Sequence, residues 1–360
     1  MRRVLALLAV ATLAIGACSG DDGTESGSDA GTADTTAATD GTTTTTAAAT
    51  DPADVAAAPS AACEGDAPAP GDRQRTVTSG GDERAYAITV PDGEGPLPLV
   101  VDYHGYSEGG AIHALHTLLA DFGREQGFVT VTPDSGYEVP RWDVGEGSRD
   151  LVMFGDLLDQ VEAEVCVDTN RVFVTGLSNG AFMTSAVACA FSDRVAAAAP
   201  VAGITDPDWC AFERPVPVVA FHGTEDTFID FEGGIGASVA DLPTPDGEGT
   251  LGEQPDADAV GDAADITDSP SIPEVTAAWA GRNGCEPEAD EERVADDVLL
   301  QTFPCPVGAA TELYVVEGGG HTWPGSEFDE TIGDIVGEVT RSIDANELMW
   351  EFFQAHPLQP

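Results

Sequence analysis

The five residues Gly176-Leu177-Ser178-Asn179-Gly180 constrain the fold more than any other stretch of the chain. Residues 171–175, Arg-Val-Phe-Val-Thr, lead into them as a short apolar, β-branched run that reads as a buried strand. Residues 181–188, Ala-Phe-Met-Thr-Ser-Ala-Val-Ala, follow and read as a helix. A serine between strand and helix, flanked by glycines, is the arrangement of a nucleophile elbow. The turn is so tight that the flanking positions tolerate almost no side chain. It lifts Ser178 Oγ clear of the sheet, and the helix N-terminus behind it favours developing negative charge. The plainer reading is a Gly-rich turn holding an incidental serine. The choice rests on whether the rest of the chain supplies a base, an acid and oxyanion donors.

From Cys63 onward the pattern is strand and helix in alternation. Residues 74–79 and 83–90 read as an antiparallel pair across Gly80-Gly81, and 97–103 as a buried strand ending at His104-Gly105. A helix is expected over 111–126, a strand over 128–133 and an amphipathic helix over 150–165. Past the elbow, strands are expected over 195–201, 216–222, 298–302 and 312–316, with helices over 272–283 and 338–355. Such alternation predicts an α/β protein with a mostly parallel central sheet and helices on both faces. With the elbow, that sheet is expected to be an α/β-hydrolase fold.

An α/β-hydrolase orders its triad as Ser, acid, His. After Ser178 comes Phe221-His222-Gly223-Thr224-Glu225-Asp226, which puts Asp226 just beyond the C-terminal end of a core strand. Glu225, Asp230 and Glu232 compete with it by position. Further on, Gly318-Gly319-Gly320-His321 follows another strand, and its glycines let the backbone bring His321 towards Ser178. His321 is expected to act as general base, with Asp226 holding its tautomer. The oxyanion donors are expected to be the backbone N–H groups of Asn179, after the nucleophile, and of Tyr106, after the His104-Gly105 strand. His104 and His222, at strand ends beside glycine, read as structural histidines. Trp142 and Trp323 are the aromatics expected to line a substrate cleft, and core-edge packing is the alternative for both. Tyr106, Tyr137 and Phe182 are further aromatics of this kind. No His pair has zinc spacing with a Glu and no Cys pair has zinc-ligand spacing, so neither metal nor cofactor is expected.

The elbow with Ala181-Phe182-Met183, His104-Gly105, Ala199-Pro200-Val201-Ala202-Gly203, His222-Gly223-Thr224-Glu225-Asp226, Trp279-Ala280-Gly281-Arg282-Asn283-Gly284-Cys285 and Gly319-Gly320-His321-Thr322-Trp323-Pro324-Gly325 together resemble the polyhydroxybutyrate depolymerase/feruloyl esterase family, related to carbohydrate esterase family one. The resemblance runs over residues 75–353. It implies an α/β-hydrolase that cleaves carboxylic esters and carries the triad roles onto Ser178, Asp226 and His321. Two stretches depart from the family: Asp230-Phe231 stands where relatives tend to have Pro-Tyr, and an acidic, Pro/Gly-rich insertion fills 235–270 with nine acids and no base. The insertion reads as a flexible rim, or as a lid over the site.

The N-terminus reads as a targeting segment. Arg2-Arg3 precede an apolar run too short to span a bilayer, and Ile15-Gly16-Ala17-Cys18 resembles a lipobox, which implies cleavage before Cys18 and its lipidation. Ordinary secretion is the alternative. Residues 19–62, rich in Thr, Ala and Asp with a run of Thr at 42–46, read as a disordered tether. Residues 63–360 are then the hydrolase domain. The chain has 64 acids against 14 Lys+Arg, all of them Arg, for a net charge of −50. That surface argues against nucleic acid and against anionic membranes, leaving the acyl anchor as the expected membrane contact. The six cysteines after Cys18 allow fifteen disulfide connectivities. Cys285–Cys305, flanking the penultimate strand segment, is the leading pair; Cys189–Cys210 and Cys63–Cys166 complete the set.

The sequence therefore predicts an exported, surface-anchored serine esterase, acting on polyhydroxyalkanoate oligomers or on feruloyl or acetyl esters of polysaccharide. The alternatives are a peptidase or lipase on the same fold, and a non-catalytic binding lipoprotein.

Overall fold

In a computed structural model, residues 52–65, 69–253 and 269–359 are described. Cys18, its leader, residues 19–51 of the expected tether and residues 254–268 of the insertion lie outside them. Residues 52–62, expected as disordered tether, are instead packed on the domain: Val55 and Ser60 are buried, Pro59 forms a β-bridge with Asp168, and the Ser60 hydroxyl donates to the Val165 carbonyl at 2.9 Å. The chain forms a ten-stranded sheet in the order β1-β2-β4-β3-β5-β6-β7-β10-β9-β8. At one edge β1 (Gly71–Ser79) and β2 (Asp82–Val90) form the expected antiparallel pair. The centre is six parallel strands: β4 (Val129–Pro133), β3 (Leu97–Tyr103), β5 (Val167–Leu177), β6 (Ala197–Val201), β7 (Val218–Gly223) and β10 (Thr311–Val316). β4, β6 and β7 are buried along their whole length, as central parallel strands covered on both faces must be.

Helices cover both faces. α3 (Arg149–Glu164), α4 (Asn179–Ala190) and α5 (Ile272–Arg282) contribute Phe154, Met183 and Trp279 to one apolar cluster. α8 (Ala345–Ala355) contributes Met349, Trp350 and Phe353 to the second, where Phe353 stacks on Phe173 of β5 at 4.5 Å. Three disulfides join Cys63 to Cys166, Cys189 to Cys210 and Cys285 to Cys305. Among the described residues no helix is long and apolar enough to cross a membrane.

Four further local expectations are corrected. The helix expected over 111–126 is two, α1 (Gly110–Thr117) and α2 (Leu119–Gln126), broken at Leu118 in the left-handed region (φ 46°). Asn346 of α8 donates to the Thr117 carbonyl at 2.7 Å, and the Thr117 hydroxyl donates to Asp102 at 3.2 Å, so that turn is held by tertiary partners. The terminal helix begins at Ala345, not 338, with Asp344 capping the Asn346 and Glu347 N–H groups. The carbonyls of Val336, Glu338 and Thr340 instead accept from His321, Gly320 and Gly325. An unexpected strand, β8 (Asp290–Ala295), forms the far sheet edge beside β9 (Val298–Phe303); its Asp-Glu-Glu-Arg start looks like a loop, yet charge is how an exposed edge avoids pairing with other chains. Finally, residues 235–253 of the insertion are folded, with a 3-10 turn at Ala237–Asp241 and a small apolar cluster of Val239 and Leu251.

Candidate active site

The elbow joins β5 to α4. Ser178 sits at φ 59° and ψ −121°, a strained conformation for a side chain that costs about 1–3 kcal/mol and persists only where surroundings enforce it. The enforcement is visible at the glycines. A Cβ on Gly180 would lie 2.1 Å from the Tyr103 carbonyl oxygen, and one on Gly176 would lie 2.6 Å from the same atom and from the Gly180 oxygen. β3 and α4 therefore touch backbone to backbone, and only glycine fits. The Ser178 N–H donates to Val201 of β6 at 2.9 Å, fixing the turn from the other side.

Asp226 and His321 lie beyond the C-terminal ends of neighbouring β7 and β10, the same end of the parallel sheet as the elbow. Their two loops are joined main chain to main chain. Thr224 N–H donates to Val316, Glu225 N–H to Gly319 and Gly318 N–H to the Thr224 hydroxyl. A Cβ on Gly223 would sit 2.2 Å from the Gly319 oxygen. The result is a hydrogen bond of 2.7 Å between His321 Nδ1 and Asp226 Oδ2. The other oxygen, Oδ1, accepts from the N–H groups of Phe228 (2.8 Å) and Ile229 (3.0 Å). Glu225, Asp230 and Glu232 point to solvent, so the carboxylate facing the imidazole is Asp226.

Burial by itself would raise the Asp226 pKa; the facing His321, His222 and the backbone donors outweigh it and hold the carboxyl below its usual range. Burial keeps His222 below its ordinary value, and its Nε2 lies 3.0 Å from the Ile229 carbonyl. His104 is likewise lowered, to about 4, by burial, with Nδ1 donating to Gly105 O at 2.7 Å. Among the described residues no group of three or more His, Cys, Asp or Glu has metal-binding geometry.

Tyr106 follows β3 in a turn whose next residue, Ser107, has φ 63° and donates its N–H to Pro140. The N–H groups of Tyr106 and Asn179 donate to no other group among the described residues. The Asn179 side chain is tied to the Trp142 backbone, accepting from its N–H at 2.6 Å and donating to its carbonyl at 3.3 Å.

A cavity of about 850 Å³ opens beside Ser178 and Asn179. Tyr106, Tyr137, Trp142 and Phe182, singled out from the sequence, line it. Trp142 is nearly buried and donates its Nε1–H to His104 O at 2.8 Å, so it also braces the loop after β3. Trp323 does not line the cavity. It is 1% exposed, packs in the α8 cluster and donates its Nε1–H to Asn346, which corrects the expectation of a cleft tryptophan. Proximity to His321 in sequence was the signal for Trp323, and the chain turns inward between them. Sequence reasoning missed Trp209, Phe228 and Arg141 on the cavity wall, and Val239, Leu242 and Leu251, which the folded part of the insertion contributes. Phe228 also lies against the His321 ring, centroids 4.8 Å apart.

No protein-family model matches the chain. Curated sequences do. The chain is 29% identical over 162 residues to the bifunctional acetylxylan esterase/xylanase XynS20E of Neocallimastix patriciarum, covering 45% of this chain and 24% of that protein. It is 24% identical over 240 residues to feruloyl esterase B of Piromyces equi, covering 64% of this chain and 40% of the other. It is 33% identical over 124 residues to poly(3-hydroxyalkanoate) depolymerase C of Paucimonas lemoignei, covering 32% and 30%. The matches thus span well under half the length of these three relatives. Among solved structures, an acetyl xylan esterase from Aspergillus awamori is similar at 18% identity and TM-score 0.49, over 72% of this chain and 99% of that one. The mostly parallel sheet with helices on both faces and the strand–serine–helix elbow make an α/β-hydrolase fold, and in sequence the chain is similar to a feruloyl esterase, an acetylxylan esterase and a poly(3-hydroxyalkanoate) depolymerase.

Proposed function

We propose that the protein is an exported serine esterase that hydrolyses carboxylic esters through an acyl-enzyme. The observation that carries this reading is the His321–Asp226 pair, placed at the same sheet end as a serine held at φ 59°. Ser178 Oγ attacks the ester carbonyl while His321 Nε2 takes its proton. The carbonyl oxygen becomes an oxyanion and accepts from the N–H groups of Asn179 and Tyr106. Collapse breaks the acyl–oxygen bond, and His321 returns the proton to the leaving alcohol. His321 then deprotonates water, which attacks the acyl-enzyme and releases the acid and Ser178. Asp226 holds Nδ1–H throughout and stabilises the imidazolium.

The aromatic and apolar wall around Trp142, Phe182, Trp209 and Phe228 suits an uncharged acyl or sugar ester, and Trp142 offers a substrate contact. Hydroxyalkanoate oligomers and feruloyl or acetyl esters of polysaccharide are the substrate classes, in keeping with the relatives' names. The three disulfides suit an oxidising compartment outside the cytoplasm. Acylation at Cys18 would hold the domain at the membrane surface on its Thr-rich tether. The test is a panel of feruloyl, acetyl and 3-hydroxybutyrate esters with wild type and Ser178→Ala. Turnover that survives the substitution at the wild-type rate would remove the reading.

A further inference from the structure

The triad leaves a second buried set of ionisable groups unused, and it connects the two loops that the triad needs in register. Glu108, on the loop after β3, accepts the Gly105 N–H through Oε2 at 2.7 Å. Its Oε1 lies 2.9 Å from His116 Nε2 on α1. His116 Nδ1 bonds Asp329 on α6 (Glu327–Thr331), and the second Asp329 oxygen accepts the Trp323 N–H at 2.6 Å. Gly105 precedes Tyr106, and Trp323 follows His321 by two residues. A continuous chain of hydrogen bonds thus runs from the oxyanion loop to the base loop, through residues 213 apart in sequence.

We propose that His116 is a positioning residue, holding the Tyr106 N–H and His321 in mutual register through Glu108 and Asp329. The inference rests on the triad reading above. Its logic is stoichiometric: both ring nitrogens of His116 face carboxylate oxygens, and only an imidazolium donates from both. Neutral imidazole keeps one N–H, so one link opens and a lone pair then faces a carboxylate.

The groups around His116 fix the direction of its titration. Glu108 and Asp329 flank it, the Phe328 ring of α6 meets it edge-on at 4.8 Å, and His113 lies one turn earlier on α1. His113 in turn faces Asp102 of β3 at 2.6 Å, Glu108 at 3.4 Å and the edge of Trp323. Asn346 of α8 contributes an uncharged amide to Thr117 O. Burial opposes the His116 charge, but Asp329 and Glu108 outweigh it and raise the pKa to about 9. His113 is raised to about 10 against the same burial cost. A raised imidazole pKa means that the link is complete at neutral pH and is lost as pH rises through about 9.

The experiment measures kcat and KM of the full chain on p-nitrophenyl butyrate from pH 6 to 10, for wild type, His116→Gln and Asp329→Asn, with melting temperatures in parallel. Misplacement by about 1 Å at a catalytic centre costs on the order of 100-fold. His116→Gln is expected to lower kcat by about 10- to 100-fold with KM within about threefold, and to abolish the alkaline fall of kcat. Asp329→Asn keeps an acceptor for Trp323 but removes a charge beside His116. It is expected to move the alkaline fall to lower pH, and it carries the test if His116→Gln does not fold. Variants that melt earlier yet keep the wild-type kcat and pH profile would overturn the inference and leave the triad standing. A wild type without Ser178-dependent turnover would overturn both.

Discussion

Asp226→Asn tests the base in its most sensitive place. Asp226 Oδ1 is committed to two backbone donors, Phe228 N–H at 2.8 Å and Ile229 N–H at 3.0 Å. An asparagine at 226 would keep its carbonyl oxygen there, which turns its NH₂ towards His321 Nδ1, now 2.7 Å from Oδ2. Two donors would then face each other. The imidazole must take the opposite tautomer, with Nδ1 bare and Nε2 protonated, so the nitrogen offered to Ser178 is no longer a base. The same change in serine hydrolases of another fold lowers kcat about 10⁴-fold, equivalent to about 5.5 kcal/mol of transition-state stabilisation. Steady-state hydrolysis of p-nitrophenyl butyrate at pH 7.5 is the assay, with near-ultraviolet circular dichroism to verify the fold. A loss smaller than about tenfold in a folded variant would refute the tautomer argument. The same substitution has a stability signature. Because the Asp226 carboxyl is held below its usual value of about 3.9, its contribution is present above that pH and disappears as pH falls through the folded value. Wild-type and variant stabilities should therefore converge in acid.

Three further perturbations follow from the packing. Gly180→Ala would place a methyl 2.1 Å from the Tyr103 oxygen, between two backbones that cannot give way, and should cost about 3 kcal/mol by urea denaturation together with most of the activity; a change under about 0.5 kcal/mol would remove the close-approach argument. Arg84→Met would strand the Asp150 carboxylate, 0% exposed and paired at 2.7 Å, and should destabilise by about 3–5 kcal/mol in chemical denaturation near pH 7. Burial already raises the Asp150 pKa, so the cost should shrink as pH falls from 7 through that raised value and the stranded group takes up a proton. Deleting residues 235–270 strips Val239, Leu242 and Leu251 from the cavity wall, and bulky aryl esters should lose about 10-fold more in kcat/KM than acetate esters; equal losses would end the lid reading.

The candidate site was legible where short motifs coincide with strand ends. Ser178 declares itself through the two glycines that its backbone contacts demand, and Asp226 and His321 through their offsets after β7 and β10. The geometry separated Asp226 from its rivals by burial, a property that Glu225, Asp230 and Glu232 share no sign of lacking in sequence. Elements set by distant partners were not legible. The break at Leu118 depends on Asn346, and the late start of α8 depends on carbonyls claimed by the His321 loop. The burial of Trp323 depends on the same α8. The ionic chain through Glu108, His116 and Asp329 joins three segments with no shared motif, so no local pattern announces it. The acidic, glycine-rich composition of the insertion hid the few apolar residues that fold its first half against the cavity.

The proposed chemistry requires Ser178 to be an activated nucleophile. Labelling the full-length chain with a fluorophosphonate and mapping the adduct by mass spectrometry tests it most directly. One label per chain is expected, on the peptide containing Gly176-Leu177-Ser178-Asn179-Gly180, with loss of ester turnover in step with labelling and no adduct in Ser178→Ala. An unlabelled wild type that still hydrolyses esters, or an adduct on another serine, would contradict it.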